Sequence, residues 1–130
     1  MATLDQHRAA LAFKHVDAFR NKEKPHRKKY ATMVHKLPAL VTAAGLCQAL
    51  HFIQSRGNDD QKKLLEHLAE QLRRVDPAIR DADSLLDRVR NAELSSYLRL
   101  THEATLCASW YRRMVQGVLK IDAAAAEEGE

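Results

Sequence analysis

Between Leu37 and Ser55 the chain passes through 19 consecutive residues without a formal charge. The length approaches that of a membrane span, but Pro38, Thr42, Gly45, Gln48, His51, Gln54 and Ser55 make the stretch too polar for lipid. Leu40, Val41, Ala44, Leu46, Cys47, Leu50, Phe52 and Ile53 fall on nearly every side of a helix. A helix from Pro38 to Arg56 must therefore be covered most of the way round. This predicts the central element of a bundle, wrapped by the rest of the chain.

The wrapping segments are also helical in period. Thr3 is a suitable N-cap for a first helix reaching about Asn21, with Ala9, Ala12, Phe13, Val16 and Phe19 on its buried face. Pro25 ends or bends it, a segment restarts near His26, and Pro38 marks a second boundary. Gly57 and Asn58 separate the central helix from one over about Asp60 to Val75, which buries Leu64, Leu65, Leu68, Leu72 and Val75. Its outer side pairs Lys62 with Glu66 and Glu70 with Arg74 at i,i+4 spacing. Asp76-Pro77 opens a shorter segment ending near Asn91, and a long helix follows from about Glu93 to Lys120. Leu94, Tyr97, Leu98, Thr101, Ala104, Thr105, Ala108, Tyr111 and Val115 trace one apolar face of it. Leu106, Trp110, Met114 and Val118, with Cys107, trace a second, which predicts an interface with another protein beyond the monomer core. With only 4 Gly, 3 Pro and 5% aromatics, a sandwich or barrel is excluded. The fold class is all-α: a compact bundle of about six helical segments with a long C-terminal helix. It forms one domain over residues 1–120, followed by an acidic tail, 121–130, expected to be disordered.

Catalytic chemistry is hard to find. Cys47 and Cys107 are 60 residues apart without a CxxC, so both are expected to be buried, reduced thiols. The Glu-x-x-His pattern of di-iron bundles occurs once, at Glu23 and His26, among positive charges; His67 with Glu70 reads as a surface pair. No glycine-rich phosphate loop and no G-x-S-x-G surrounds any residue. No enzyme, metal or cofactor is indicated. Asp5 and Arg8 stand where a signal peptide would need an apolar run, so a cytoplasmic protein without a membrane anchor is expected.

Charge points to binding. The last ten residues hold Asp122, Glu127, Glu128 and Glu130 and no base, leaving a net +8 on the first 120 residues. Arg20, Lys22, Lys24, Arg27, Lys28 and Lys29 crowd the Pro25 junction against Glu23 alone. Lys and Arg without an aromatic reading surface favour phosphates over bases. The candidates for contact with an RNA backbone are Arg20, Lys24, Arg27, Lys28 and Lys36, with Lys14 and Arg112 as weaker ones.

Two blocks carry a family resemblance. Lys36-Leu37-Pro38-Ala39-Leu40, Ala44-Gly45-Leu46, Gln48-Ala49-Leu50 with Phe52, and Ser55-Arg56-Gly57 resemble the signature of the small all-helical subunit of the type III-B CRISPR effector, the Cmr complex. Tyr97-Leu98, Leu100-Thr101, Glu103-Ala104, Leu106 and Trp110-Tyr111-Arg112-Arg113 resemble that family's C-terminal helix. Ala44, Thr105, Tyr111 and Met114 depart from the usual pattern. The resemblance implies a non-catalytic subunit stacked in copies beside the backbone subunits, lining the groove where guide RNA pairs with target RNA. Its partners would be other Cmr subunits, further copies of itself and both RNAs, with cleavage left to other subunits. The type III-A small subunit, or a helical adaptor that binds only protein, are the alternatives.

Overall fold

The computed structural model describes residues 2–127 and, among them, seven helices and no strand. The first helix, α1 (Leu4–Asp17), begins at a capping box: Gln6 N–H donates to the Thr3 hydroxyl, and Thr3 N–H donates to the Gln6 side chain. Pro25 occupies the first turn of α2 (Lys24–Ala44), where its missing N–H costs nothing.

The boundary expected at Pro38 is absent, and α2 runs straight through it. The break falls instead at Gly45, whose φ of +88° is open to glycine and strained for any other residue. The uncharged stretch is thus divided between α2 and α3 (Leu46–Arg56) rather than forming one helix. Tyr97 crosses this break, its hydroxyl accepting from Cys47 N–H at 3.0 Å and supplying the cap that Gly45 lacks.

Gly57 ends α3 in an extended conformation, and Asn58 forms a capping box for α4 (Asp59–Leu72). Asp76 does not open a helix. It accepts from Arg88 Nε at 2.6 Å and from Ala78 N–H, while Asp81 caps α5 (Ala82–Asn91). The long helix, α6 (Leu94–Gly117), spans about 36 Å.

The core is continuous. α2 packs on α3, α4 and α6; α1 lies on α6 and α4; α5 covers α3 and α4. Tyr30, Leu37, Leu50, Leu64, Leu68 and Tyr111 are among its largest fully buried side chains. The faces are rotated from those read in the sequence. Phe13 is 44% exposed and Leu94 73%, whereas Arg8 and His15 are buried. Buried α6 residues come from both of its stripes: Ala104, Ala108, Tyr111 and Val115 from one, Cys107 from the other.

The acidic tail needs a correction over 121–127. After Lys120, at φ +60°, the chain turns back, and α7 (Ala123–Glu127) packs on α2 with Ala126 buried. Small alanines allow the close approach, and α2 side chains satisfy the segment's carbonyls. His35 Nε2 donates to Ile121 O at 2.9 Å, and the Thr32 hydroxyl lies 3.0 Å from Ala126 O. Residues 128–130 of the expected tail lie outside the described residues. No described helix is long and apolar enough to cross a membrane.

Candidate nucleic-acid interface

The α1–α2 junction concentrates cations because Pro25 starts a helix among them. Lys24, Arg27 and Lys28 emerge from the first turns of α2 into a groove of about 460 Å3, closed on the other side by Leu119, Lys120, Ile121 and Ala125. Lys24 and Lys120 are exposed, while Arg27 and Lys28 are half-buried. The junction is pinned to α4: His26 Nδ1 lies 2.7 Å from Asp60 Oδ2, and Gln61 Nε2 donates to Lys29 O at 3.0 Å. Lys22 and Lys63 both approach the Phe19 ring, at 4.9 and 5.9 Å from its centroid. The Lys63 ammonium pushes the Lys22 amine below its ordinary value.

The electrostatics of this end are unbalanced. Glu23 makes no side-chain cap and the first turn of α2 holds no acid. Backbone N–H groups and Lys24, Arg27 and Lys28 therefore place positive charge together at the positive end of a 21-residue helix. Arg27 Nε is buried with no hydrogen-bond partner among the described residues.

The other RNA-contact candidates are dispersed. Arg20 is exposed beside the junction and paired to Asp17 at 3.1 Å. Lys36 lies eight residues beyond Lys28, about 12 Å along the α2 axis. Lys14 and Arg112 are exposed on α1 and α6. Three of the seven thus meet in the groove. Lys120 joins them through the reversal after α6, which no residue pattern signalled.

On α6, Leu106, Trp110, Met114 and Val118 are all half-buried. Trp110 Nε1 donates to Asp5 Oδ1 at 2.9 Å, tying this stripe to the start of α1. Next to it the Arg8 guanidinium binds Glu103 through both Nε and Nη2, the latter at 2.8 Å. That pairing holds the Glu103 carboxyl below its usual range and keeps Arg8 charged. Cys107 is buried and pushed up to about 12 by burial and by Glu103; Cys47, expected to be buried, is only half-buried in the first turn of α3.

Behind these surfaces α1, α2, α4 and α6 meet at a polar cluster. The His15 and His67 rings stack at 4.0 Å. The Tyr111 hydroxyl lies 2.6 Å from His15 Nδ1, the Tyr30 hydroxyl lies 2.7 Å from His67 Nδ1, and Gln71 Nε2 donates to Tyr111 at 3.3 Å. The Glu70 carboxylate, 3.1 Å from His15 Nε2, can only accept, so neutral His15 carries its proton on Nε2 and its Nδ1 accepts from Tyr111. Burial pushes His67 down to about 3 and lowers His15 as well. Reading His67 and Glu70 as a surface pair missed this arrangement. Among the described residues no group of three or more His, Cys, Asp or Glu could hold a metal ion.

A family model described as CRISPR-associated protein (Cas_Cmr5) matches residues 4–118. The chain belongs to this family. A curated relative, the CRISPR system Cmr subunit Cmr5 of Thermus thermophilus, is 43% identical over 94 residues, covering 72% of this chain and 78% of its own length. The crystal structure of a CRISPR-associated Cmr5 family protein from the same organism superposes with a TM-score of 0.79. It is 39% identical over 90% of this chain and 98% of its own. Within the Cmr5 span, the blocks that carried the resemblance acquire structural meaning. Gly45 is the hinge between α2 and α3, and Glu103 is the acceptor that clamps Arg8.

Proposed function

We propose that this Cmr5-family chain is the small, non-catalytic subunit of a type III-B CRISPR (Cmr) ribonucleoprotein effector acting in the cytoplasm in antiviral defence. It packs beside backbone subunits and further copies of itself, and it touches the phosphates of guide and target RNA. The observation that carries the RNA contact is the groove of Lys24, Arg27, Lys28 and Lys120 at the start of α2. Cations at the positive end of a helix oppose the macrodipole, so their placement there costs stability unless an anion sits among them. A phosphate backbone supplies such anions without asking for base recognition. Family membership supports the assembly. The half-buried stripe of Leu106, Trp110, Met114 and Val118, together with exposed Leu94 and Leu98, offers apolar surface for neighbouring protein.

The test is to reverse Arg27 and Lys28 to Glu, confirm unchanged helicity, and measure RNA retention by the assembled complex across a salt series. Each lost phosphate contact should lower the log–log salt slope by about 0.7 for a single strand. Unchanged affinity and slope in an intact complex would make the junction a solvated surface and leave a purely protein-binding role.

A further inference from the structure

After α6 the chain doubles back, and residues 119–126 lie along α2 as a strap. Ile121 N–H donates to Val115 O at 3.1 Å, and Ile121 O accepts from His35 Nε2 at 2.9 Å, so the reversal at Lys120 is pinned from both sides. Asp122 then starts α7: its Oδ1 accepts from Ala125 N–H at 2.7 Å and its carbonyl from Ala126 N–H at 2.9 Å. Leu119, Lys120, Ile121 and Ala125 of the strap form one wall of the basic groove, and Lys24, Arg27 and Lys28 of α2 form the other.

The strap is built to let go of α2. The Thr32 hydroxyl lies 2.8 Å from Lys28 O and 3.0 Å from Ala126 O, and its single proton serves one carbonyl at a time. When the strap lifts, the hydroxyl keeps Lys28 O, so no donor is stranded there. Lys120 holds φ at +60°, a conformation that costs energy for a residue with a Cβ. It also brings a fourth cation to face three others across the groove. With the groove empty, these like charges oppose docking; an anion between the walls attracts both and reverses the sign. Arg27 Nε, in the α2 wall, is buried with no partner among the described residues and is a donor for such an anion.

We propose that the strap is a clamp: binding of an RNA phosphate in the groove and docking of residues 119–126 on α2 are one coupled event, with Lys120 the cation that moves. The strap lies beyond the span matched by the family model, which ends at residue 118. Closure on RNA rests on the reading of the groove as a phosphate-binding surface. The opposition between Lys120 and the α2 cations does not.

The experiment follows hydrogen exchange of the full chain by NMR. Exchange at the Ala125 and Ala126 amides reads the docked state, because a single helical turn does not persist off its support. A saturating oligouridylate should slow these two amides by about five- to tenfold and leave Ala104 and Ala108 of α6 unchanged. Ala126→Gln, too large for a site where Ala126 is 1% exposed, should hold the strap open and weaken oligouridylate binding by that same factor, since coupling is reciprocal. Bound RNA with unchanged or faster strap exchange would overturn the clamp, as would an Ala126→Gln chain that binds as tightly as the parent. A second arm needs no RNA. Lys120→Asn removes the charge with a side chain that tolerates positive φ, so strap exchange should slow by about two- to fivefold at low salt and match the parent at high salt. Unchanged or faster exchange at low salt would overturn the charge opposition, and the clamp with it. Slowing by Lys120→Asn with no oligouridylate bound by any chain would overturn the phosphate-binding reading and closure on RNA, and leave the opposition standing.

Discussion

His67 shows what a half-buried base does to a helical protein. Its Nδ1 lies 2.7 Å from the Tyr30 hydroxyl and its ring stacks on His15, so a proton on it would add charge beside a second histidine in a half-buried site. An unfolded histidine takes up a proton near 6.5, whereas folded His67 does so near 3. The unfolded state therefore binds more protons throughout that window, and stability falls as pH drops from about 6.5 toward 3. Urea unfolding at pH 7 and pH 4.5 should differ by about 1–3 kcal/mol, with lowered His15 contributing in the same direction. His67→Phe should flatten this acid limb while leaving the buried Tyr30 hydroxyl without its hydrogen-bond partner, at a cost of about 1–3 kcal/mol at pH 7. The cluster was illegible in the sequence for a physical reason. Hydrophobic periodicity marks apolar faces, and Arg8, His15 and Gln71 are buried because distant residues satisfy them. Phe13, which the pattern placed inside, is outside for the same reason: the helix rotates to bring Arg8 and His15 to their partners.

Among the helices, the breaks matter more than the runs. Pro38 read as a boundary because proline disfavours helix before it, yet packing along α2 overrides that local preference. Gly45 breaks the helix because its φ of +88° admits no ordinary side chain and because Tyr97 closes over it. A Cβ there would lie 3.4 Å from the Tyr97 hydroxyl. Gly45→Ala should destabilise the fold by about 1–2 kcal/mol, chiefly through backbone strain, as read by chemical denaturation. The contact between α1 and α6 depends on a different kind of pairing. Glu103→Ala removes both acceptors of a buried guanidinium and should cost about 2–3 kcal/mol, less than a fully orphaned buried charge because Asp5 stays 3.2 Å from Arg8. Glu103 stood in the family block as one residue of a pattern; its function as a clamp needed the third dimension. The pairing of Glu70 with Arg74 read from spacing gives way to other partners, some local and some tertiary. Glu70 accepts from His15 on α1, while Arg74 donates locally to Gln71 at 2.6 Å and lies 3.8 Å from Glu103 on α6.

At the scale of the whole molecule, fold class and the crowding of charge at the Pro25 junction were readable from period and composition. So was the family, through the blocks around Gly45 and Glu103. The groove was not, because Lys120 reaches it only after the chain reverses. The α6 stripe gives a test of the assembly reading. Trp110→Ala should weaken incorporation into the complex by about 2 kcal/mol or more if Trp110 anchors a neighbour, with a smaller loss of folding stability. Parallel measurement of the melting temperature and of co-purification checks it; equal losses would place Trp110 in the monomer core alone.

The pairs that close the bundle join residues far apart in the chain: Arg8 with Glu103 across 95 positions, His15 with Tyr111 across 96, Thr32 with Ala126 across 94. During synthesis the first helix therefore waits for the last ones. At about 5–20 residues per second, α1 spends on the order of 5–20 s without α6, its buried-to-be arginine still lacking Glu103 and His15 still lacking Tyr111. A message that stalls before α6 is made releases a chain whose two central helices have no lid, whatever their own helical tendency.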